Sequence, residues 1–400
     1  MKVLQLCNKP PFPPVDGGTM AMNSITQGLL RAGCEVRVLT VETDKHPAHV
    51  EQLPDDYRRM TRYEAVYIDL TVKAVPAAVA MLCGESYHVK RYINRQFAER
   101  LTAILKEEEF DVVHVESIFL TPYVPIIRKY SKAKVILRAH NVEHLIWKRV
   151  AQSTRQSLKR WYLNHLSLTL RAYELEHLQD YDGVVCITQG DADYFKQNGC
   201  RRPMTVIPFG IEVTETADTP ERQEPHSLYH LGAMDWMPNQ ESITWLLDDV
   251  WPVVHREVPQ AHLYLAGRKM PEALMQRQID GVSIVGEVPD AQQFIADKQI
   301  NVVPLLSGSG IRVKIIEAMA AGKAVVTTTV GARGIDYTDG ENLLIANTPT
   351  EFAQQIKRLV DDTGYCRHVG QAAARLVREH YDVARLTERL IQFYNERIDV

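Results

Sequence analysis

Short apolar runs alternate with longer amphipathic segments along almost the whole chain of 400 residues. The apolar runs predict strands and the segments between them predict crossover helices, so the alternation predicts parallel sheets covered by helices. A chain of this length exceeds one typical core and suits two domains of about 200 residues each. The predicted strands of the first half are Lys2–Leu6, Glu35–Leu39, Asp111–Val115, Lys134–Arg138, Gly183–Ile187 and Met204–Ile207.

A polar segment separates the two halves of the chain. Residues Thr214 to His226 are rich in Thr, Glu and Pro and poor in apolar residues, which predicts a linker. The alternation then restarts, and the chain closes on an amphipathic segment, Val383–Arg397. The predicted strands of the second half are Leu228–Leu231, His262–Ala266, Val282–Val285, Asn301–Leu306, Ala324–Thr328 and Asn342–Ile345.

These patterns predict an α/β fold class of two Rossmann-like domains. We expect an amino-terminal domain over residues 1–213, a linker over 214–226, a carboxyl-terminal domain over 227–380 and a terminal helix within 381–400. Open doubly wound sheets bind ligands at the carboxyl ends of their strands. We therefore expect the two parallel sheets to face each other across a cleft in which those ends converge.

Composition excludes several classes of function. The formal net charge is -4 and the sequence pI is near 6.4, which argues against a nucleic-acid binder that neutralises phosphates. The 6 cysteines are scattered, with no metal-knuckle or redox spacing, as expected for reduced thiols in a cytoplasmic protein. The amino terminus lacks signal-peptide architecture. The most apolar stretch, Ala74–Cys83, is far shorter than the roughly 20 residues that span a bilayer.

A glycine-rich segment in the second half has the features of a phosphate site. A predicted strand ends in Ser307-Gly308-Ser309-Gly310 and a helix then begins, so free backbone N–H groups can bind an anion. Arg312 and Lys314 fall in the first helical turn, where cations oppose the helix dipole unless an anion is bound. An ordinary glycine turn with Lys314 and Glu317 paired on a solvated face explains the same residues. Both interpretations stay open at this point.

The segment that follows carries a family resemblance. Residues 317–326, EAMAAGKAVV, resemble the "lEAMAxGkPVV" helix of the retaining glycosyltransferases with the GT-B fold, called group 1 or family 4. Residues 232–239, 285–290, 17–19, 138–143 and 206–210 resemble further family segments in the same order and spacing. The resemblance implies a sugar-nucleotide donor held by the second domain, an acceptor on the first, and a terminal helix that returns to the first domain.

The resemblance also implies roles for individual residues. Donor binding falls on Gly17, Gly18, Asn239, Gly286, Ser309, Gly310, Ile311 and Glu317, with Glu317 as the ribose ligand. Catalytic roles fall on His140, beside the transferred sugar, and on Arg312 and Lys314, at the diphosphate. We expect the acceptor at Tyr87, Arg91, Asn141 and Glu143. No cofactor and no tightly bound metal are expected, because the resemblance requires neither.

Two departures from the family pattern concern the donor. Family members commonly carry a second glutamate at the position that Ser309 occupies here, and it contacts the donor sugar. Many also carry an Arg and a Lys just after the first strand of the second domain, where this chain reads GAMDWMPN over residues 232–239. We expect Arg312 and Lys314 to take over the phosphate role.

Two further motifs admit other functions. The run His140-Asn141-Val142-Glu143-His144 fits H-x-x-E-H, a zinc-protease pattern in which two histidines share one helix face. The segments Ser86–Arg100 and Trp147–Arg171 mix basic and aromatic residues. Such helices form solvated faces over packed ones, or they contact an acceptor or anionic lipid headgroups at a membrane surface.

The function predicted from the sequence is sugar transfer from a nucleoside diphosphate sugar to a saccharide or lipid-linked acceptor, with retention, in cell-surface polysaccharide or glycoconjugate synthesis. We expect the protein in the cytoplasm or at the inner face of the cell membrane, with no nucleic-acid partner. The alternatives are a sugar-nucleotide epimerase, a non-catalytic nucleotide-sugar binder and, through HNVEH, a zinc protease.

Overall fold

The computed structural model describes residues 1–213, 223–308 and 312–396. Its contacts divide the chain into two compact units. Unit 1 comprises Met1–Gly210 together with the carboxyl-terminal residues from Val383 onward, and unit 2 comprises Ile211–Asp382. Residues 214–222 of the expected linker lie outside the described residues, so the linker stays a prediction. Within unit 2, the backbone N–H of Glu224 donates to Asp297 O.

Unit 1 is built on one parallel sheet. Its strand order is β3-β2-β1-β4-β5-β6-β7, and every pairing between neighbours is parallel. Neighbouring strands run parallel because helices connect them across the sheet faces. The strands in the described part of unit 1 are β1 (Lys2–Cys7), β2 (Glu35–Glu42), β3 (Glu64–Tyr67), β4 (Val112–Glu116), β5 (Lys134–Ala139), β6 (Gly183–Cys186) and β7 (Met204–Val206).

Unit 2 repeats this architecture. Its parallel strands follow the order β10-β9-β8-β11-β12-β13. This is the same order as β3-β2-β1-β4-β5-β6 in unit 1, which has β7 as an additional edge strand. The strands in the described part of unit 2 are β8 (Ser227–Leu231), β9 (His262–Ala266), β10 (Val282–Gly286), β11 (Ile300–Val303), β12 (Ala324–Thr327) and β13 (Leu344–Ile345).

Helices cover both sheets. Those of unit 1 are α1 (Gly17–Arg31), α2 (Asp55–Thr61), α3 (Ala74–Leu82), α4 (Tyr87–Lys90), α5 (Arg95–Glu107), α6 (Val124–Tyr130), α7 (Glu143–Ser153), α8 (Ser157–His177) and α9 (Gln189–Gln197). Those that follow are α10 (Met237–Trp245), α11 (Trp251–Glu257), α12 (Glu272–Met275), α13 (Ala291–Ala296), α14 (Val313–Ala320), α15 (Pro349–Asp361), α16 (Thr363–His380) and α17 (Val383–Asn395). None of these described helices combines the length and the apolar character needed to cross a bilayer.

Helix α17 follows unit 2 in the chain but packs in unit 1. Its Leu386 and Leu390 join the buried cluster that contains Met22 and Ile25 of α1. The two helices approach so closely that a Cβ atom at Gly28 would collide with Thr387 Oγ1. A side chain at position 28 would therefore force Thr387 to move or the two helices to move apart.

Each sheet has one point at which the strand order reverses. In unit 1 it lies between β1 and β4, and in unit 2 between β8 and β11. Helices leave opposite faces of the sheet on the two sides of such a point, so a crevice opens at the carboxyl ends of these strands. The fold thus places a ligand crevice beside Cys7 and Glu116 in unit 1, and beside Leu231 and Val303 in unit 2.

Candidate active site

A half-buried lysine marks the crevice of unit 2. Lys314, in the first turn of α14, donates from Nζ to Asn239 Oδ1 at 3.0 Å and to His230 Nε2 at 3.2 Å. The His230 ring can accept this bond because its Nδ1 donates to Val302 O at 2.8 Å, which leaves a lone pair on Nε2. Asn239 is oriented in turn by its own donation to Ala233 O at 2.8 Å. Two fixed neutral acceptors therefore aim the ammonium group of Lys314.

The electrostatics of this lysine favour an anionic ligand. No carboxylate within the described residues forms an ion pair with Lys314. Burial, followed by the nearby charge of Arg312, lowers the pKa of Lys314 to about 7. The alternative of an exposed Lys314–Glu317 pair fails, because the lysine bonds His230 and Asn239 instead.

Gly232 provides the floor of the same crevice. A Cβ atom there would lie 3.0 Å from Asn239 Nδ2, 3.0 Å from His230 Nε2 and 3.1 Å from Lys314 Nζ. On its other side, the Gly232 carbonyl occupies the space that a Cβ atom at Gly267 would need, and Gly267 has a φ of +159°. Glycine at both positions therefore lets the backbone approach closely, and at Gly232 it leaves the space that a Cβ atom would take from Lys314, His230 and Asn239.

A second cation lies at the start of α14. Arg312 immediately precedes the helix, is 5% exposed, and places its guanidinium 5.6 Å from the centre of the Trp236 ring. Burial and the neighbouring Arg333 lower the pKa of Arg312 to about 10. Two cations at the amino terminus of a helix oppose its dipole, and a bound anion would relieve this conflict. The predicted ligands Ser309, Gly310 and Ile311 lie outside the described residues and stay predictions.

Glu317 and Gly286 complete the predicted donor residues of unit 2. Glu317 is half-buried, and burial raises the pKa of its carboxyl group. Its carboxyl group has no hydrogen-bond or ion-pair partner in the part of the chain that the structure describes, so this group is available to a ligand. Gly286 ends β10 with a φ of +80°, which a residue with a side chain rarely adopts.

The glycine loop of unit 1 opens helix α1. Asp16 caps the helix by accepting from Thr19 N at 2.9 Å, while Lys9 Nζ donates to the Asp16 carboxylate at 2.7 Å. Gly17 is exposed, whereas a Cβ atom at Gly18 would lie 3.0 Å from Lys9 Nζ. The structure thus adds Lys9 to the residues at this helix start, a cation that sequence reasoning missed.

His140 lies at the carboxyl end of the unit 1 sheet, directly after β5. Its Nε2 is 2.8 Å from Glu116 Oε2, at the end of the neighbouring strand β4. Burial lowers the pKa of His140 although the Glu116 carboxylate opposes this shift. The ring is therefore neutral near pH 7, and its contact with the transferred sugar stays a prediction.

The zinc interpretation of HNVEH fails on geometry. Helix α7 begins at Glu143, so His140 precedes the helix and does not share its face with His144. The His144 ring is bonded on both nitrogens, Nδ1 to Glu174 at 2.5 Å and Nε2 to the Tyr194 hydroxyl at 2.9 Å. In residues 1–213, 223–308 and 312–396, no three His, Cys, Asp or Glu side chains converge as metal ligands.

The four predicted acceptor residues fall into two groups. Asn141 and Glu143 follow His140, and burial next to Glu174 raises the pKa of Glu143 to about 7. Tyr87 is buried, with its hydroxyl accepting from Lys73 N at 2.9 Å, and Arg91 Nη1 donates to Leu70 O at 2.6 Å. Tyr87 and Arg91 thus hold the backbone just before α3, and their role toward an acceptor stays a prediction.

The arrangement of both units agrees with comparisons against known families. The sequence model of Glycosyltransferase Family 4 matches residues 15–215, and that of glycosyl transferases group 1 matches residues 225–362. The chain belongs to glycosyltransferase family 4. The predicted fold class, two Rossmann-like α/β domains of the GT-B type, and the predicted enzyme class are confirmed.

Three relatives of this family 4 glycosyltransferase are informative. An uncharacterised 44.6 kDa protein in the cps region of Klebsiella pneumoniae is 24% identical over 297 residues, covering 71% of this chain and 74% of the relative. The phosphatidyl-myo-inositol mannosyltransferase of Mycolicibacterium smegmatis is 26% identical over 200 residues, covering 47% and 50%. The crystal structure of Anabaena HepE with UDP shares the fold with a TM-score of 0.66 and 14% identity, covering 98% and 99%.

Proposed function

We propose that this family 4 glycosyltransferase moves a sugar from a nucleoside diphosphate sugar, bound by unit 2, to a saccharide or lipid-linked acceptor, bound by unit 1. The product belongs to a cell-surface polysaccharide or glycoconjugate, and the anomeric configuration is retained. The relatives support this assignment: HepE binds UDP, one relative is a mannosyltransferase, and another is encoded in a cps region.

The observation that carries the proposal is the pair of cations at the start of α14. As the bond to the sugar breaks, negative charge accumulates on the departing diphosphate. Lys314 is already aimed by His230 and Asn239, so it stabilises that charge without reorganisation. The carboxylate of Glu317, one turn further along α14, is available to the ribose hydroxyls. No residue of the chain needs to act as a covalent nucleophile.

Ligand-induced stabilisation tests this proposal. We expect UDP or GDP to raise the melting temperature of the protein, and uridine or guanosine to leave it unchanged, because the cations of unit 2 bind phosphate rather than base. The rise should grow with the ratio of ligand concentration to Kd. Equal shifts from a nucleoside and its diphosphate would contradict a phosphate site. A matched variant, Lys314→Met, should abolish most of the shift.

The lowered pKa of Lys314 predicts a pH dependence of binding. Near pH 7 about half of the free protein carries a neutral Lys314, whereas the diphosphate complex requires the charged form. The Kd of UDP or GDP should therefore rise between pH 7.5 and 9, by up to about tenfold per pH unit. Isothermal titration calorimetry measures this slope. Lys314→Arg, which stays charged, should flatten the profile, and an unchanged slope would show that another group titrates.

A surface of unit 1 supports a lipid-linked acceptor. Helix α3 contains no charged residue, and its Val75 and Leu82 are 74% and 83% exposed. Helix α8 exposes Leu158 and Trp161, at 80% and 57%. Both helices contribute to one buried apolar cluster, α3 through Ala77 and Ala80 and α8 through Leu163 and Leu166. Exposed apolar residues on neighbouring helices are typical of a surface that contacts membranes.

The charge around this surface selects an anionic membrane. Between residues 148 and 171 the chain carries no acidic residue, and its exposed basic residues are Lys148, Arg149, Arg155, Lys159, Arg160 and Arg171. Each basic side chain near an anionic lipid surface contributes about 1 kcal/mol of attraction. We therefore assign the exposed faces of α3 and α8 to an anionic lipid surface, the source of a lipid-linked acceptor.

Vesicle sedimentation tests this assignment. We expect the protein to bind vesicles containing phosphatidylglycerol, to bind phosphatidylcholine vesicles much less, and to be released as salt rises. The double variant Lys159→Ala/Arg160→Ala should weaken binding on the order of tenfold or more. Arg58→Ala/Arg59→Ala on α2 is the matched control, because those residues are equally basic but pair with Asp55 and Asp56. Equal binding to neutral and anionic vesicles would refute the assignment.

A further inference from the structure

A row of polar side chains crosses the apolar face of the unit 1 sheet. Alternate residues of a strand point to the same face, so His114 and Glu116 of β4 lie beside Gln5 of β1 and beside Arg138 of β5. His140, directly after β5, continues this row. The same face carries Val3, Val112 and Ile136, which pack beneath α1 and α17. Polar groups placed on an apolar face must find partners there.

The Glu116 carboxylate is the centre of this network and is fully buried. Its Oε1 accepts from Gln5 Nε2 at 2.7 Å, and its Oε2 accepts from His140 Nε2 at 2.8 Å. His114 Nε2 and Arg138 Nε lie 3.4 Å and 3.9 Å from the carboxylate. Burial opposes ionisation, but the surrounding His114, His140 and Arg138 outweigh it and hold the pKa of Glu116 well below its usual range.

An ionised carboxylate accepts hydrogen bonds and donates none. The bond from His140 to Glu116 therefore requires the proton of the neutral imidazole to sit on Nε2. The other ring nitrogen, Nδ1, then carries a lone pair and accepts a hydrogen bond. A neutral histidine without this carboxylate exchanges between the two tautomers, and only one of them presents an acceptor at Nδ1.

Glu116 itself is fixed from the opposite side. Gln5 is held by its own bonds, because its Nε2 also donates to Met22 O at 3.2 Å and its Oε1 accepts from Thr26 Oγ1 at 2.7 Å. The ring of His114 is held by the Tyr394 hydroxyl of α17, which lies 2.6 Å from Nδ1. Residues of β1, α1 and α17 thus fix the carboxylate that orients His140.

We propose that Glu116 is a positioning residue for His140: its carboxylate holds the proton on Nε2, so that Nδ1 accepts a hydrogen bond from a hydroxyl group of the reacting sugar. This inference rests on the proposed function, in which His140 contacts the transferred sugar. Glu116 touches no substrate and acts through the ring of His140. The ligand group recognised at this position is a hydroxyl donor rather than a carbonyl or carboxylate.

The tautomer of His140 is measurable without any substrate. In a protein with ¹⁵N-labelled histidine, we expect the His140 signals to show a protonated Nε2 and an unprotonated Nδ1 between pH 7 and 8. His140→Asn assigns them by their disappearance. Glu116→Gln should change the His140 pattern, whereas Glu174→Gln, which alters the equally buried pair with His144, should leave it unchanged. A proton on Nδ1 in the native protein would overturn the proposal even if no variant folds.

A kinetic cycle tests whether Glu116 acts through His140. Turnover is followed as release of UDP from UDP-glucose or of GDP from GDP-mannose. Glu116→Gln should lower kcat about 10- to 100-fold, by analogy with carboxylates that orient metal-bound histidines. In the His140→Asn background the same change should cost no more than about twofold, because its target is absent. Equal losses in both backgrounds would identify Glu116 as structural. If the tautomer test fails, the proposed donor site in unit 2 is unaffected. If nucleoside diphosphates fail to bind, the proposed function is wrong but the measured tautomer of His140 is unaffected.

Discussion

Lys314→Ala is expected to lower kcat about 100- to 1,000-fold, the cost of removing one preorganised donor to a developing negative charge, roughly 2.7–4 kcal/mol. The side chain is held by His230 and Asn239 and has no carboxylate partner among the described residues, so its charge is directed to the ligand. The loss should appear in kcat and in kcat/KM alike, because the contact strengthens as the diphosphate leaves. Steady-state kinetics on UDP-glucose and GDP-mannose measure it.

Three comparisons make this result specific. Arg312→Ala should cause a loss of the same order, since both cations lie at the start of α14. Lys357→Ala, on the exposed side of α15, is the matched lysine control and should leave kcat within about twofold. Ser309→Ala removes a neutral hydroxyl and should cost on the order of 1 kcal/mol. If Lys314→Ala and Arg312→Ala both kept near-native kcat while Ser309→Ala abolished it, the phosphate site would be misassigned.

The second large effect is expected from Glu317→Ala, and it should fall on KM. A carboxylate that holds ribose hydroxyls does so equally in the ground state and the transition state, so its loss weakens donor affinity. A hydrogen bond to a charged group contributes about 1.5–3 kcal/mol, which corresponds to a rise in KM of roughly 10- to 100-fold. Donor titrations with UDP-glucose and GDP-mannose, read as initial rates, separate KM from kcat.

Glu379→Gln, on the exposed end of α16, is the control for loss of one carboxylate in the same unit. Glu317 is half-buried without a partner among the described residues, so Glu317→Ala should not lower the melting temperature and should raise it slightly through relief of desolvation. A fall in kcat with unchanged KM would instead place Glu317 at the reacting centre.

The strands were predictable because their signal is local. All the predicted strands are present, because buried parallel strands consist of continuous apolar runs such as Gly183–Cys186. Strand β3, Glu64–Tyr67, was missed because it is a short, half-exposed edge strand with little apolar surface to bury. Helix α3 was taken only as an apolar stretch, because no charged residue marks a solvent face.

The residues that orient the ligand-binding side chains were less predictable than the ligand-binding residues themselves. The motif around Glu317 identified α14, but nothing in the local sequence links Lys314 to His230, 84 residues away. His230 and Glu116 did leave a signal, because each is a titratable residue inside a buried strand, where an unpaired polar group is costly. Tyr87 and Arg91 were assigned to the acceptor from their residue types, and nothing local indicated that the Tyr87 hydroxyl and Arg91 Nη1 bond backbone atoms just before α3.

The return of α17 to unit 1 has a consequence for biosynthesis. A nascent chain exposes Met1–Gly210 first, but the helix that covers α1 and bonds His114 is made only after the whole of Ile211–Asp382. At translation rates of 5–20 residues per second, that interval lasts about 10 to 30 s. During it, the apolar surface beneath Leu386 and Leu390 stays uncovered. Ribosome-bound chains that stop before Val383 should therefore recruit more holdase chaperone than chains extended through Tyr394. They should also be cleaved faster by proteases.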